Sequence, residues 1–332
     1  MDIKSCRQAT IQGVKFLLSQ QQPDGSFTPV EHGLASFHKI PYALAVMGQT
    51  ERAARLCMYV TENFLDDEGD FVGHFPRTPL HQEFALLSNA WLVAGAQRLG
   101  QFGISLRAVE FLASLQNPTT GGFFTNGPHA TAQGDQDVLT TATCGLALLY
   151  GGRLDEAINA GSYLYNVFES QLTAAARMYF RTRKGLQLVT DVPEEKMSEY
   201  VISVGKPEQW YHVPSLAAGF LAKLYEATGD RRHLETAQRY LNFVENCGPD
   251  RYSSIRSGFL GWAAAQLYAI TGNANYRRIA IAVADGLMKL QLANGSWLQM
   301  SCSEDLTSDV VDGTAEGIIC MTQILEGLVS GE

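Results

Sequence analysis

The sequence predicts an all-α ring of twelve helices in six antiparallel hairpins, arranged as two concentric layers, with one inserted β-hairpin. Three observations predict it. A Gln–turn–Gly–aromatic unit recurs at the ends of apolar helices, in "FLLSQQQPDGSF" (16–27), "FLASLQNPTTGGF" (111–123) and "LMKLQLANGSW" (287–297), with "FLDDEGDF" (64–71) as a degenerate copy. Apolar residues return at i, i+3, i+4 and i+7 through the intervals between these units. The links alternate: every second one is short and glycine-marked, and the others are long and aromatic-rich.

Taken in order, the first helix begins near residue 3 and ends in the first repeat, where Gly permits the positive φ of a tight turn and the aromatic folds back over the helix end. Helices near 34 and 51 are joined by "MGQTER", and the second of these runs into the degenerate repeat. "RLGQFGIS" joins helices near 82 and 104, and "YGGRLDE" joins those near 137 and 154. The long link 171–212 contains "ARMYFRTRKGLQLVTDV" (176–192), whose polar–apolar alternation around "RKG" reads as a β-hairpin able to form a flap. Helices near 213 and 232 follow, joined by "ATGDRRH", then helices near 256 and 275, joined by "ITGNANY". The last begins near 309 in "SDVVDGTAEG".

Glycine- and alanine-rich stretches such as "SLAAGFLAKLY" and "SGFLGWAAAQLY" suit an inner layer buried on both faces. "DRRHLETAQRYLNFVE", with its charges on one side, suits the outer layer. All long links then lie at one end, above the N-termini of the inner helices. That end is the expected functional mouth of a single domain spanning 1–332.

The 332 residues are 46% hydrophobic and 18% charged, ample for a large core. A net charge of -9 opposes binding to nucleic acid or anionic lipid. No apolar run approaches the length of a membrane span, and "MDIKSCRQAT" lacks a signal-peptide core, so a cytoplasmic location is expected. Six scattered cysteines with no CxxC pair read as buried free thiols.

The units Gln21–Gly25–Phe27 and Gln291–Gly295–Trp297 resemble the QW motifs of squalene and oxidosqualene cyclases. Nearly the whole chain resembles the terpenoid cyclase/protein prenyltransferase superfamily, which implies an (α/α)6 toroid. "DGTAE" (Asp312 to Glu316) is similar to the DCTAE motif whose Asp protonates an epoxide, with Gly313 in place of Cys. "DQDVLTTA" keeps Asp135 and Asp137 of the DxDD motif, with Val138 in the last acidic place. The Asp-x-Cys and downstream His of the zinc prenyltransferases are missing, so neither metal nor other cofactor is expected.

Read from the residues alone, Asp312 opens the last inner helix as a first-turn acid, with Glu316 one turn further on the same face. Asp135 and Asp137 repeat this at the sixth helix. The catalytic candidates are therefore Asp312, Glu316, Asp137, Asp135, His212 and His81. "DDEGD" (66–70) matches a magnesium–diphosphate motif but falls on a repeat turn, which is the preferred reading. "PEQWYHVPS" supplies Trp210 and Tyr211 beside His212 as a wall, and His38, Tyr42, His74, Arg77, Tyr252, Arg256 and Trp297 complete the expected substrate contacts. His38, His74, His81, His129 and His212 all fall at or near the mouth, with His233 opposite.

Together these features predict a metal-independent cyclase or isomerase acting on a hydrophobic, terpenoid-like small molecule. It would work by acid/base help and conformational preorganisation, with a pericyclic step among the options. Two alternatives stand beside it: a sugar epimerase or unsaturated-glycoside hydrolase, and a non-catalytic peptide- or ligand-binding toroid. Apolar lining at the mouth favours the first; Arg, Asn and Gln there favour the sugar enzyme.

Overall fold

The computed structural model describes residues 2–28, 30–71, 82–127, 134–171, 176–183, 185–298 and 306–331. Twelve principal helices are described: α1 (Ile3–Gln20), α2 (Ile40–Val46), α3 (Thr50–Phe64), α4 (Leu87–Arg98), α5 (Phe102–Ser114), α6 (Val138–Tyr150), α7 (Leu154–Glu169), α8 (His212–Thr228), α9 (Arg231–Glu245), α10 (Gly258–Thr271), α11 (Ala274–Leu290) and α12 (Leu306–Ser330). Asp2, Asp137, Asp230 and Asn273 cap α1, α6, α9 and α11 through their side chains. The helix expected from residue 34 is replaced by a 3₁₀ segment, Val30–Ser36, and α2 begins only at Ile40. Pro41 in its first turn suits a helix start but not an interior. That break puts His38 and Lys39 at the head of an inner helix.

The even-numbered helices form the inner ring. Each packs on the next, and α12 returns to α2. Their burial is continuous rather than striped: Val213–Ala222 of α8 and Gly258–Leu267 of α10 are buried throughout. The outer helix α9 buries one stripe only, including Leu234, Ala237, Tyr240, Leu241 and Val244. Five inner helices pass by short links to the outer helix behind them; α12 instead pairs with α1, which completes the sixth hairpin.

The repeat has a mechanical role in closing the outer ring. Gln21 Nε2 donates to Gly25 O of its own turn at 3.1 Å and to Arg52 O of α3 at 3.0 Å. Gln116 does the same with Gly121 O and Glu156 O of α7, both at 2.8 Å. Gln291 does it with Gly295 O and Ala9 O of α1, again at 2.8 Å. One amide thus satisfies a turn and fastens it to the next outer helix. Gly295 sits at φ 90°, and a Cβ there would stand 2.7 Å from Gln12 O of α1, so both conformation and proximity require glycine.

The inserted segment makes two small antiparallel sheets. Strands β1 (Gln136–Asp137), β3 (Arg181–Arg183) and β4 (Gln187–Leu188) pair in the order β1-β3-β4, and β2 (Arg177–Tyr179) pairs with β5 (Val201–Ser203). The hairpin β3–β4 is therefore stitched to the lead-in of α6 rather than free-standing. No helix among the described residues is long and apolar enough to cross a membrane. The five described cysteines are buried and unbridged.

Candidate functional site

A cavity of about 110 Å³ lies on the barrel axis below the long links. Its walls divide into an apolar and an ionisable side. Leu87 and Trp91 of α4, Leu139 and Thr143 of α6, Leu216 of α8 and Phe259 of α10 form an apolar side. His38 and Lys39 before α2, Asp312 and Glu316 of α12, His212 at the start of α8, and Arg256 before α10 bring the ionisable groups. Trp210 spans the two, its ring 5.4 Å from that of His212 and 5.7 Å from the Arg256 guanidinium carbon.

Lys39 organises the polar side. Its Nζ donates to Asp312 Oδ2 at 2.9 Å and to Glu316 Oε2 at 2.6 Å. Burial alone would lower its pKa, but the two carboxylates outweigh burial and hold the ammonium above the ordinary lysine range. Asp312 is the most open of the three, at 14% against 9% for Lys39 and 5% for Glu316. Its other oxygen stands 3.6 Å from His38 Nε2, while His38 Nδ1 lies 3.3 Å from Leu34 O. Burial, then Lys39 beside it, pushes His38 down to about 3. Burial, then Arg256 and Lys39, does the same to His212, also to about 3. Both imidazoles are therefore neutral at physiological pH, resisting protonation and serving as hydrogen-bonding groups rather than as acids.

This predicts acid sensitivity. Between the ordinary value of 6.5 and about 3, the unfolded chain binds protons that these two folded imidazoles refuse. Stability is therefore fully present above 6.5 and lost as pH falls, at about 1.4 kcal/mol per pH unit for each histidine. Denaturant titrations from pH 7 to 4.5 should show that slope, and His212→Phe should reduce it; an unaltered slope would remove His212 from the account.

Of the residues singled out in the sequence, the cavity brings together His38, Trp210, His212, Arg256, Asp312 and Glu316. Others lie elsewhere, for physical reasons. Asp135 is not on the cavity lining and pairs with Arg183 at 2.5 Å. Asp137, 1% exposed, is the cap of α6, accepting from Thr140 N at 2.7 Å. Tyr211 is fully buried, with its hydroxyl donating to Asp250 at 3.0 Å. Tyr42 points down the barrel, its ring 5.9 Å from Trp91 and its hydroxyl 3.4 Å from that of Tyr150. Tyr252 lies towards α9 and α11, bonded to Glu245 and near Arg278. Trp297 is wedged between α1 and α12: a Cβ on Gly13 or Gly317 would come within 2.7 or 2.8 Å of its ring. Its Nε1 donates to Leu287 O at 2.8 Å. His74, Arg77 and His81 lie outside the described residues. "DDEGD" makes a turn in which Asp66 Oδ1 accepts from the backbone of Glu68, Gly69 and Asp70 at 2.9 Å.

Lys39, Trp91 and Phe259 were not singled out from the sequence. For Lys39 a signal existed: a lysine just before a helix faces the positive end of its dipole and needs compensation nearby. Among the described residues, no three His, Cys, Asp or Glu converge as metal ligands, and both cavity carboxylates are engaged by Lys39.

No family model matches the chain, and no curated protein matches it in sequence. Solved structures match over nearly its full length. A D-mannose isomerase superposes with a TM-score of 0.73 at 11% identity, covering 97% of each chain. An unsaturated glucuronyl hydrolase specific for heparin gives 0.67 at 12% identity, covering 98% of this chain and 96% of that one. A variant of the type II terpene cyclase MstE from Scytonema, bound to geranylgeranyl dihydroxybenzoate, gives 0.65 at 11% identity, covering 98% and 99%. The chain is thus a divergent (α/α)6 toroid protein, built on the fold these three enzymes share.

Proposed function

We propose that this protein is an enzyme that isomerises or cyclises a small, mostly apolar molecule in the axial cavity, by acid/base help and preorganisation, as one step of a biosynthetic pathway. The observation that carries this reading is the division of the cavity wall, an apolar side on α4 and α6 facing a charged side on α12 and α2. Such a wall suits a substrate with a hydrocarbon body and one polar, enolisable or anionic end. About 110 Å³ is below the roughly 300–1,000 Å³ of pockets that enclose a whole ligand, so the cavity takes the reacting end and the remainder leaves through the mouth.

His212, kept neutral by burial and by the cations beside it, is placed to orient the substrate as a hydrogen-bonding imidazole, and Lys39 and Arg256 to stabilise negative charge growing on a substrate oxygen. Asp312, open to the cavity, is the base. A carboxyl that protonates an alkene must first hold the proton, whereas Asp312 accepts from the Lys39 ammonium at 2.9 Å. This favours a path through an enolate-like intermediate over one begun by protonating a double bond. Metal and redox cofactors have no part in this scheme.

Carbohydrate chemistry is the second reading. Six ionisable residues and the indoles of Trp91 and Trp210 on the lining favour it, as do the two sugar enzymes among the structural neighbours. Against it, Arg256 is joined by no Asn or Gln on the lining among the described residues, and the apolar wall offers only Thr143 and the Trp91 indole as hydrogen-bonding side chains. A binding-only toroid expects its acids in water, whereas Glu316 is buried on Lys39. The deciding experiment incubates the protein in D₂O with two panels, prenylated or terpenoid carbonyl and carboxylic compounds on one side, aldoses, ketoses and unsaturated uronides on the other. Deuterium exchange or a new product confined to the first panel supports the proposal; turnover confined to the second replaces it.

A further inference from the structure

The two ring nitrogens of His38 face opposite kinds of neighbour. Nδ1 lies 3.3 Å from Leu34 O. A carbonyl oxygen only accepts, so in a neutral ring Nδ1 is the nitrogen that carries the hydrogen. Nε2 then presents a bare lone pair, and it stands 3.6 Å from Asp312 Oδ1. The other tautomer fits worse. It would set the Nδ1 lone pair against Leu34 O, and an Nε2–H aimed at a carboxylate would close to about 2.7–2.9 Å. Two acceptors face to face keep the longer gap. The ring is 3% exposed, and the Lys39 ammonium beside it opposes an imidazolium.

The two oxygens of Asp312 therefore keep different company. Oδ2 accepts from Lys39 Nζ at 2.9 Å, which leaves Oδ1 as the oxygen for an incoming proton. Oδ1 meets the His38 lone pair, which repels a carboxylate and attracts a carboxylic acid. The remaining charged or titratable groups around Asp312 are Glu316 and Asp309, each about one turn away on α12, and Arg256 and His212 of the same lining.

Resting on the proton transfer described under the proposed function, we propose that His38 is the positioning residue of the base: its bare Nε2 directs the substrate's proton to Oδ1 of Asp312 and accepts a hydrogen bond from the acid so formed. The hydrogen leaves substrate carbon as a proton, and the electron pair of the broken C–H bond stays on the substrate as an enolate. The new O–H turns towards Nε2 while Lys39 keeps Oδ2, so both oxygens of the acid are partnered. The proton returns from Oδ1 when the product forms, and no co-reactant is consumed. His38 itself holds no extra proton at any step.

A neutron structure of the full chain, crystallised at pH 7 and exchanged into D₂O, tests the tautomer without any substrate. Deuterium on Nδ1 and none on Nε2 is expected; deuterium on Nε2 overturns the proposal. His38→Phe keeps a ring but no acceptor, and tests the consequence with the substrate found in the D₂O screen. The acid limb of kcat/KM should move about one pH unit lower, because the acid form of Asp312 has lost a bond. Turnover, kcat, should fall about 3–10-fold with KM little changed. A limb that stays in place overturns the proposal even with Nδ1 deuterated. Turnover confined to sugars would replace the proposed substrate class and leave the His38–Asp312 pair standing. Deuterium on Nε2 would remove the pair and leave the substrate class as it was.

Discussion

Lys39→Met is expected to unfold the protein about 10 °C earlier than the parent chain, a loss of about 3–5 kcal/mol. Removing the ammonium leaves Asp312 and Glu316 side by side at the inner edge of the cavity, with their shared cation gone. A buried charge robbed of its partner costs far more than the pair contributed while intact. The pH dependence gives a second signature. In the parent, Lys39 has a raised folded pKa, so its contribution is fully present below the unfolded value of about 10.4 and is lost only as pH climbs through the folded one. In the variant, mutual repulsion raises one carboxyl, so the folded state gains protons and the deficit shrinks as pH falls towards 5. Thermal scans at pH 5, 7 and 9 measure both. A variant melting within 2 °C of the parent at pH 7 would mean that the carboxylates do not depend on Lys39.

Asp312→Asn should act on turnover instead. Asparagine keeps the volume, and Glu316 still accepts from Lys39 at 2.6 Å, so the midpoint should move by only a few degrees. If Asp312 takes or returns a proton, kcat/KM for the substrate found in the D₂O screen should fall about 10²–10⁴-fold. The effect should lie in kcat more than in KM, because the lost interaction belongs to the transition state. A folded and fully active variant would leave Asp312 as a partner of Lys39 only.

Much of the ring was legible in the chain because its devices are local. A Gln, a glycine with positive φ and an aromatic recur at fixed offsets, and glycine-marked short links set off each inner–outer pair. The pairing of Asp312 with Glu316 was legible for the same reason, since one helical turn places them together. What was hidden depends on convergence. Lys39 lies 273 residues from Asp312, and its own neighbourhood says only that a charge precedes an apolar helix. Trp91 and Phe259 sit in apolar runs where a cavity wall and a packed core carry the same pattern. Trp297 and Tyr211 misled in the other direction: aromatics beside a mouth read as walls, yet one is a wedge between helices and the other a buried strut. The late start of α2 was written in Pro41, which permits a first turn and forbids an interior one.

The fastening of Gln291 to Ala9 spans 282 positions along the chain, and Trp297 lodges beside Gly13. Helix α1 is synthesised well before α11 and α12, its lasting neighbours. During translation the nascent chain therefore holds an unclosed arc, with the apolar flanks of α1 and α2 exposed until α11 and α12 arrive. High contact order of this kind slows the final docking step and prolongs the interval in which chaperones, or aggregation, compete for the chain.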